Sequence, residues 1–189
     1  YSRAGITRYV ETLGRCIFTD GDSPRTLHTV PIRPLDHSGP LFRTGDYWQA
    51  FELAGLLLFA SNNVVKADGR LTMGMGTARQ VRDHFSGIDK ELGQLLLKQG
   101  LAGNQSEQPA YHLLVSPQWP HQKIGAFQTK YHHKHDSDLE LIQGSVNALV
   151  AWTMAHPDVS VHLPYPGIGC GQLTKELVAP ILRPLPPTV

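Results

Sequence analysis

Cysteine, charge, aromatic residues and long apolar stretches are all scarce in this sequence. Only Cys16 and Cys170 occur in 189 residues, and they lie near opposite ends of the chain. Two such distant thiols build neither a disulfide framework nor a cysteine-rich zinc site. Their scarcity favours a reducing, cytoplasmic compartment. Charged residues make up 17%, with 17 basic against 16 acidic side chains, a net charge of +1. That balance gives no general pull toward nucleic acid or an anionic membrane. The longest apolar run, Leu53–Ala60, has eight residues and contains Gly55, too short to span a bilayer. The chain starts at Tyr1 rather than Met, which leaves room for a removed leader.

What is present reads as a globular protein. An apolar fraction of 41% is too high for a disordered chain. The length suits one domain over residues 1–189, with 1–40 as an N-terminal extension of unassigned role. Proline and glycine punctuate Gly21–Pro40, Ser116–Pro120 and the tail Pro180–Pro187, which read as loops.

Strands and helices alternate between these breaks. Leu56–Ala60 is a continuous apolar run of strand length, as expected for a strand buried on both faces. Tyr111–Val115, Lys123–Gln128 and Val159–Leu163 read as further strands. Met75, Ala78, Val81 and Phe85 follow helical spacing, interrupted by Arg82. Ile88, Leu92, Leu95 and Leu96 mark a second helix that Gly100 can cap. Ser137-Asp138-Leu139-Glu140 fits a capping box ahead of the stripe Leu139, Ile142, Val146, Leu149 and Val150. Thr174 opens a last helix through Leu177, Val178 and Ile181. Ile6, Tyr9, Val10 and Leu13 suit a short helix or, nearly as well, a strand. The alternation predicts an α/β fold with a mixed, mostly parallel sheet.

In such a sheet, ligands bind outside the carboxyl ends of the strands. Three predicted strands end there in polar or glycine-rich loops: Ser61-Asn62-Asn63, Thr129-Lys130-Tyr131-His132-His133, and Pro164-Tyr165-Pro166-Gly167-Ile168-Gly169-Cys170-Gly171. Glycine lets backbone approach a ligand, and a helix N-terminus offers unpaired N–H donors. Met73-Gly74-Met75-Gly76 and Gly167–Gly171 both precede helices and contain no Lys or Arg. Facing one another, they would cradle a diphosphate with main-chain amides alone.

These segments resemble the macrodomain family, the ADP-ribose-binding three-layer α/β/α fold, and within it the branch of antitoxin-type ADP-ribosyl glycohydrolases. The likeness covers roughly residues 41–183 and rests on Leu58–Asn63, Met73–Ala78, Leu163–Leu173 and Thr44-Gly45-Asp46. It implies that Asp46 accepts from the adenine amino group, although Asp46 is equally suited to cap a helix over Tyr47–Ala54. It implies that Asn63, or Asn62 in the neighbouring register, holds the distal ribose. The alternative for either is a strand-end Asx turn. Gly74, Met75, Gly76 and Thr77 would form one phosphate loop, and Gly167, Ile168, Gly169, Cys170 and Gly171 the other. Tyr165 or Ile168 would cover the ribose. The ligand implied is ADP-ribose or an ADP-ribosylated macromolecule, with no cofactor and no membrane partner.

Whether the ligand is consumed is a separate question. Similar glycohydrolases carry a nucleophilic lysine shortly after the first glycine loop, whereas Arg79–Phe85 contains none. Lys66 or Asp68 after Asn63, or Lys130 or His132 at the other strand end, are the candidate replacements, beside Asn63. The resemblance therefore implies an ADP-ribosyl hydrolase, an ADP-ribose 1″-phosphate phosphatase, or a binding module without turnover. His132, His133 and His135 suggest a metal-dependent hydrolase instead. No carboxylate or cysteine at ligand spacing completes that set, and a metal-free site is expected. A Cys170 thiolate paired with a histidine is a further nucleophile to consider.

Overall fold

The computed structural model describes residues 39–103, 109–117 and 123–189, together with three two-residue strands nearer the N-terminus. The chain divides into two compact units, Tyr1–Asp36 and His37–Val189. In the first, β1 (Glu11–Thr12), β2 (Arg15–Cys16) and β3 (Val30–Pro31) form an antiparallel sheet in that order. The helix or strand expected over Ile6, Tyr9, Val10 and Leu13 lies outside the described residues. So do most of Gly21–Pro40 and the end of the Ser116–Pro120 loop.

The second unit carries a four-stranded sheet of β4 (Leu56–Ser61), β5 (Leu113–Val115), β6 (Ile124–Gln128) and β7 (Val161–His162). The strand order is β5-β6-β4-β7; β6 and β7 run parallel to β4, and β5 is antiparallel to β6. Among the described residues five helices cover it: α1 (Tyr47–Leu53), α2 (Gly76–His84), α3 (Ile88–Lys98), α4 (Leu139–Ala155) and α5 (Lys175–Leu182). On one face Phe59, Ile124 and Ala126 pack with Val81 of α2 and Ile88, Leu92 and Leu96 of α3, and α1 adds Tyr47, Trp48 and Phe51. On the other, Leu56, Leu58 and Phe127 meet Ile142, Val146 and Leu149 of α4 and Val178 of α5. This is the expected three-layer α/β/α arrangement. β4 is apolar at successive positions because both its faces are covered.

Local chemistry moved several boundaries. The strand expected at Tyr111–Val115 begins only at Leu113, because His112 adopts φ +58°. The strand expected over Val159–Leu163 shortens to Val161–His162. Helix α4 is capped by Asp138, whose carboxylate accepts from Leu141 N at 3.0 Å, rather than by Ser137. The Ser137 hydroxyl is buried beneath Gly171 without a hydrogen-bond partner. α5 passes through Pro180, so the proline-rich tail starts after Leu182. That tail folds back, with Thr188 O accepting from Val161 N and Val189 O from Leu41 N.

Candidate functional site

The parallel strands place three connecting loops at one edge of the sheet, and hydrogen bonds join them. Thr129 N donates to Ser61 O at 3.0 Å, and Asn63 N to Tyr131 O at 3.4 Å, tying the loop after β4 to the loop after β6. Ser137 N donates to Gly171 O at 2.9 Å, and Lys130 Nζ to Cys170 O at 3.0 Å, tying the β6 loop to the glycine loop after β7.

The two glycine loops meet across this edge. A Cβ placed on Gly76 would lie 4.0 Å from Cys170 Sγ. Gly76 has φ +59°, and Gly167 and Gly169 have φ +78° and +65°, all in the left-handed region that favours glycine. Gly171 needs glycine for another reason: a Cβ there would strike Ser137. Neither α2 nor the 3₁₀ turn Gly169–Gly171 has a side-chain N-cap. The first amides of each therefore have no intrahelical acceptor and are available to an anion. Gly74, Met75 and Gly76 are exposed on one side, Gly169 and Cys170 on the other, whereas Gly167 and Gly171 are buried supports.

Beside the second loop lies a cavity of ≈ 320 Å³, walled by Phe42–Gly45, Leu163–Tyr165 and Ile168. Asp46 follows directly. Its Oδ1 accepts from Trp48 N at 2.6 Å, so it does cap α1, which ends one residue before Ala54. Among the described residues its second carboxylate oxygen has no partner. Phe42 stacks on Tyr165 with centroids 5.7 Å apart, and Lys175 Nζ lies over the Tyr165 ring, 5.7 Å from its centroid. A larger cavity of ≈ 650 Å³ opens near Gly55, Lys123 and Ser160, at the amino ends of the same strands. It holds none of the residues singled out by sequence, and strand polarity places it away from the glycine loops.

The remaining candidates divide. Asn62 is spent internally: its Nδ2 donates to Thr72 O at 2.9 Å and its Oδ1 accepts from Val64 N at 3.0 Å, forming the Asx turn. Asn63 is fully buried, and its Nδ2 donates to Leu101 O at 3.4 Å, but its Oδ1 has no donor. Lys66 and Asp68 sit exposed on a turn closed by Val65 and Leu71. Asp68 is paired there with Arg70 at 3.4 Å, and Arg70 with Asp89 of α3 at 3.1 Å. Lys130 is half-buried; burial pushes its pKa below the usual lysine range, against the favourable pull of Cys170 and Asp136. Desolvation, then His135 and Lys134, lowers His132 below the ordinary histidine value. Its ring stacks on His133 at 4.3 Å, and its Nδ1 accepts from Lys134 N at 3.2 Å. Among the described residues no three His, Cys, Asp or Glu side chains are placed to share a metal ion.

No family model matches the sequence, and no curated protein matches it. Solved structures do match. The macrodomain of Mycobacterium tuberculosis DarG superposes with a TM-score of 0.56 at 23% identity, covering 75% of this chain and 85% of that one. The Thermus aquaticus DarG macrodomain gives 0.54 at 24% identity, over 76% and 91%. The fold is that of a macrodomain. A third structure, Thermosipho africanus DarTG in complex with ADP-ribose, gives 0.54 at 23% identity over 73% of this chain and 36% of that longer one.

Three supports of this macrodomain edge escaped the sequence reading. Arg82, noted only as an interruption in an apolar stripe, donates from Nη1 to Met73 O at 2.9 Å and so holds the base of the first glycine loop. A lone cation among apolar helix positions was the available signal. Gln172 adopts φ +60° and donates from Nε2 to Gly169 O at 3.0 Å. Nothing in its type announces that conformation. Phe42 had no periodicity to mark it.

Proposed function

We propose that the His37–Val189 unit binds ADP-ribose, free or attached to a macromolecule, at the carboxyl ends of β4, β6 and β7, and hydrolyses an ADP-ribosyl linkage or ADP-ribose derivative there. The carrying observation is the approach of two uncapped, cation-free glycine turns at Gly76 and Cys170. A diphosphate suits such a gap: its oxygens take amides from Gly76–Thr77 on one side and Gly169–Cys170 on the other. The adenosine half then occupies the ≈ 320 Å³ cavity, with Tyr165 and Ile168 in its wall and the free Asp46 oxygen accepting from the adenine amino group. Asn63 meets the distal ribose through a shift of its loop, because its unpartnered Oδ1 is enclosed in the structure as it stands. The likeness in fold to a DarTG structure holding ADP-ribose supports the same ligand.

Turnover on this reading adds water to the anomeric carbon and breaks the bond to the acceptor oxygen, which leaves with a proton. Bending of the substrate's diphosphate between the two turns places the reacting ribose, so positioning supplies much of the rate. Proton handling falls to the side of the edge that carries Lys130 and His132, since Lys66 and Asp68 lie on the turn braced by α3. Desolvation and the neighbouring His135 and Lys134 favour the neutral form of the His132 ring.

A second reading, a binding module without turnover, is favoured by two observations. Arg79–Phe85 contains no lysine, and Lys130 is already engaged with two backbone carbonyls. Titration calorimetry with ADP-ribose tests binding. Incubation with ADP-ribosylated protein, ADP-ribosylated DNA and ADP-ribose 1″-phosphate tests turnover. Release of product from any of the three establishes the hydrolase; binding with all three intact establishes the module; absence of binding removes both.

A further inference from the structure

Lys130 lies two residues beyond the end of β6, and its ammonium donates to two carbonyl oxygens, Cys170 O at 3.0 Å and His135 O at 2.6 Å. Among the described residues no carboxylate lies within ion-pair distance of it; Asp136 acts only from farther away. A half-buried cation satisfied by backbone alone costs desolvation and side-chain entropy. What it holds in return is the middle peptide of the Gly169–Gly171 turn, flanked by glycines on both sides and thus poorly restrained by its own sequence. That turn carries amides without an acceptor and faces Gly76 across the cleft.

We propose that Lys130 is a positioning residue for anion binding: by holding the Cys170 carbonyl it fixes the turn whose amides receive the diphosphate, and its ammonium supplies the positive charge that both glycine loops lack. This rests on the ADP-ribose reading of the cleft. Four titratable groups surround the amine. Cys170 and Asp136 favour its charge, the His133 ring lies close enough to feel it, and His135 offers its carbonyl. Burial outweighs the favourable pair and brings its deprotonation nearer to neutral pH. Anion affinity therefore falls as pH rises through that step, because the charge and its carbonyl contacts weaken together.

The test is the Kd for ADP-ribose by calorimetry, from about pH 7 to about pH 9.5, for the wild type, Lys130→Met and Lys130→Arg. Lys130→Met is expected to bind about tenfold more weakly at neutral pH, since a hydrogen bond to a charged group is lost, and to show a flat profile. Lys130→Arg restores most of the affinity and stays flat, because a guanidinium keeps its proton throughout. The wild type weakens toward the alkaline end of that range. Repeating the series with Cys170→Ser removes thiol ionisation as the source of the slope. Circular dichroism checks folding, and Lys130→Gln replaces Lys130→Met if the latter does not fold. Wild-type affinity in folded Lys130→Met, or a slope that survives in it, overturns the positioning role while leaving ADP-ribose binding intact. A wild type that does not bind ADP-ribose removes the reading of the cleft and this role with it.

Discussion

Asp46 does two jobs on the proposed reading, and substitution separates them. One carboxylate oxygen caps α1 through Trp48 N, and the other is free for the adenine amino group. Asp46→Ala is expected to lose about 1 kcal/mol of stability as a cap and to weaken ADP-ribose binding by about 1–3 kcal/mol. Asp46→Asn keeps the cap, since asparagine is an equal N-cap, but exchanges an anionic acceptor for a neutral amide. Denaturation midpoints and calorimetry should therefore both change for alanine, and only the calorimetry for asparagine. The glycines divide in a similar way. Gly169→Glu carries a carboxylate to the diphosphate position, but φ +65° there strains any side chain, so Gly169→Ala is its necessary control. Gly74 has no positive φ and nothing within 4 Å of a Cβ. Gly74→Glu is expected to abolish ADP-ribose binding with the melting temperature unchanged; retained affinity would remove the first loop from the site.

At the scale of elements, caps and supports decide where the cleft stands. α4 begins beside the second glycine loop, and Asp138 rather than Ser137 starts it. Asp138→Ala is expected to cost about 1 kcal/mol in urea denaturation. Ser137→Ala should cost less, because the hydroxyl removed is buried and unpaired. The reverse order would restore Ser137 as the cap. The capping-box pattern Ser137-Asp138-Leu139-Glu140 pointed to Ser137 as the cap, and the structure moves the cap one residue on, to Asp138. In the structure Ser137 is turned to the glycine loop, its N donating to Gly171 O at 2.9 Å and its hydroxyl buried without a partner, and Asp138 caps the helix.

Across the whole molecule, β4 is the shared wall of two cores. Phe59 is fully buried toward α2 and α3, whereas Leu56 and Leu58 are fully buried toward α4 and α5. Phe59→Ala is expected to destabilise by about 3–5 kcal/mol, a large share of the roughly 5–15 kcal/mol that holds a domain folded. Chemical denaturation checks this, and a loss below about 1 kcal/mol would mean that the first core does not depend on that ring.

The sequence by itself determined the alternation of strands and helices, the apolar central strand and the glycine loops, because hydrophobic period and glycine's conformational freedom are local properties written residue by residue. It also determined that the loops after β4, β6 and β7 share one edge, since parallel pairing follows from βαβ alternation. Only the tertiary structure decided which polar side chains those loops leave available. Asn62 and Asn63 are neighbours of one type, yet Asn62 is consumed by Thr72 and Val64 while Asn63 keeps an unpartnered oxygen. Lys130 and Lys66 are equally plain lysines in sequence, but only Lys130 reaches the second glycine turn, 40 residues farther along the chain. Hydrogen-bond partners at that separation are set by packing, and a linear pattern carries no record of them.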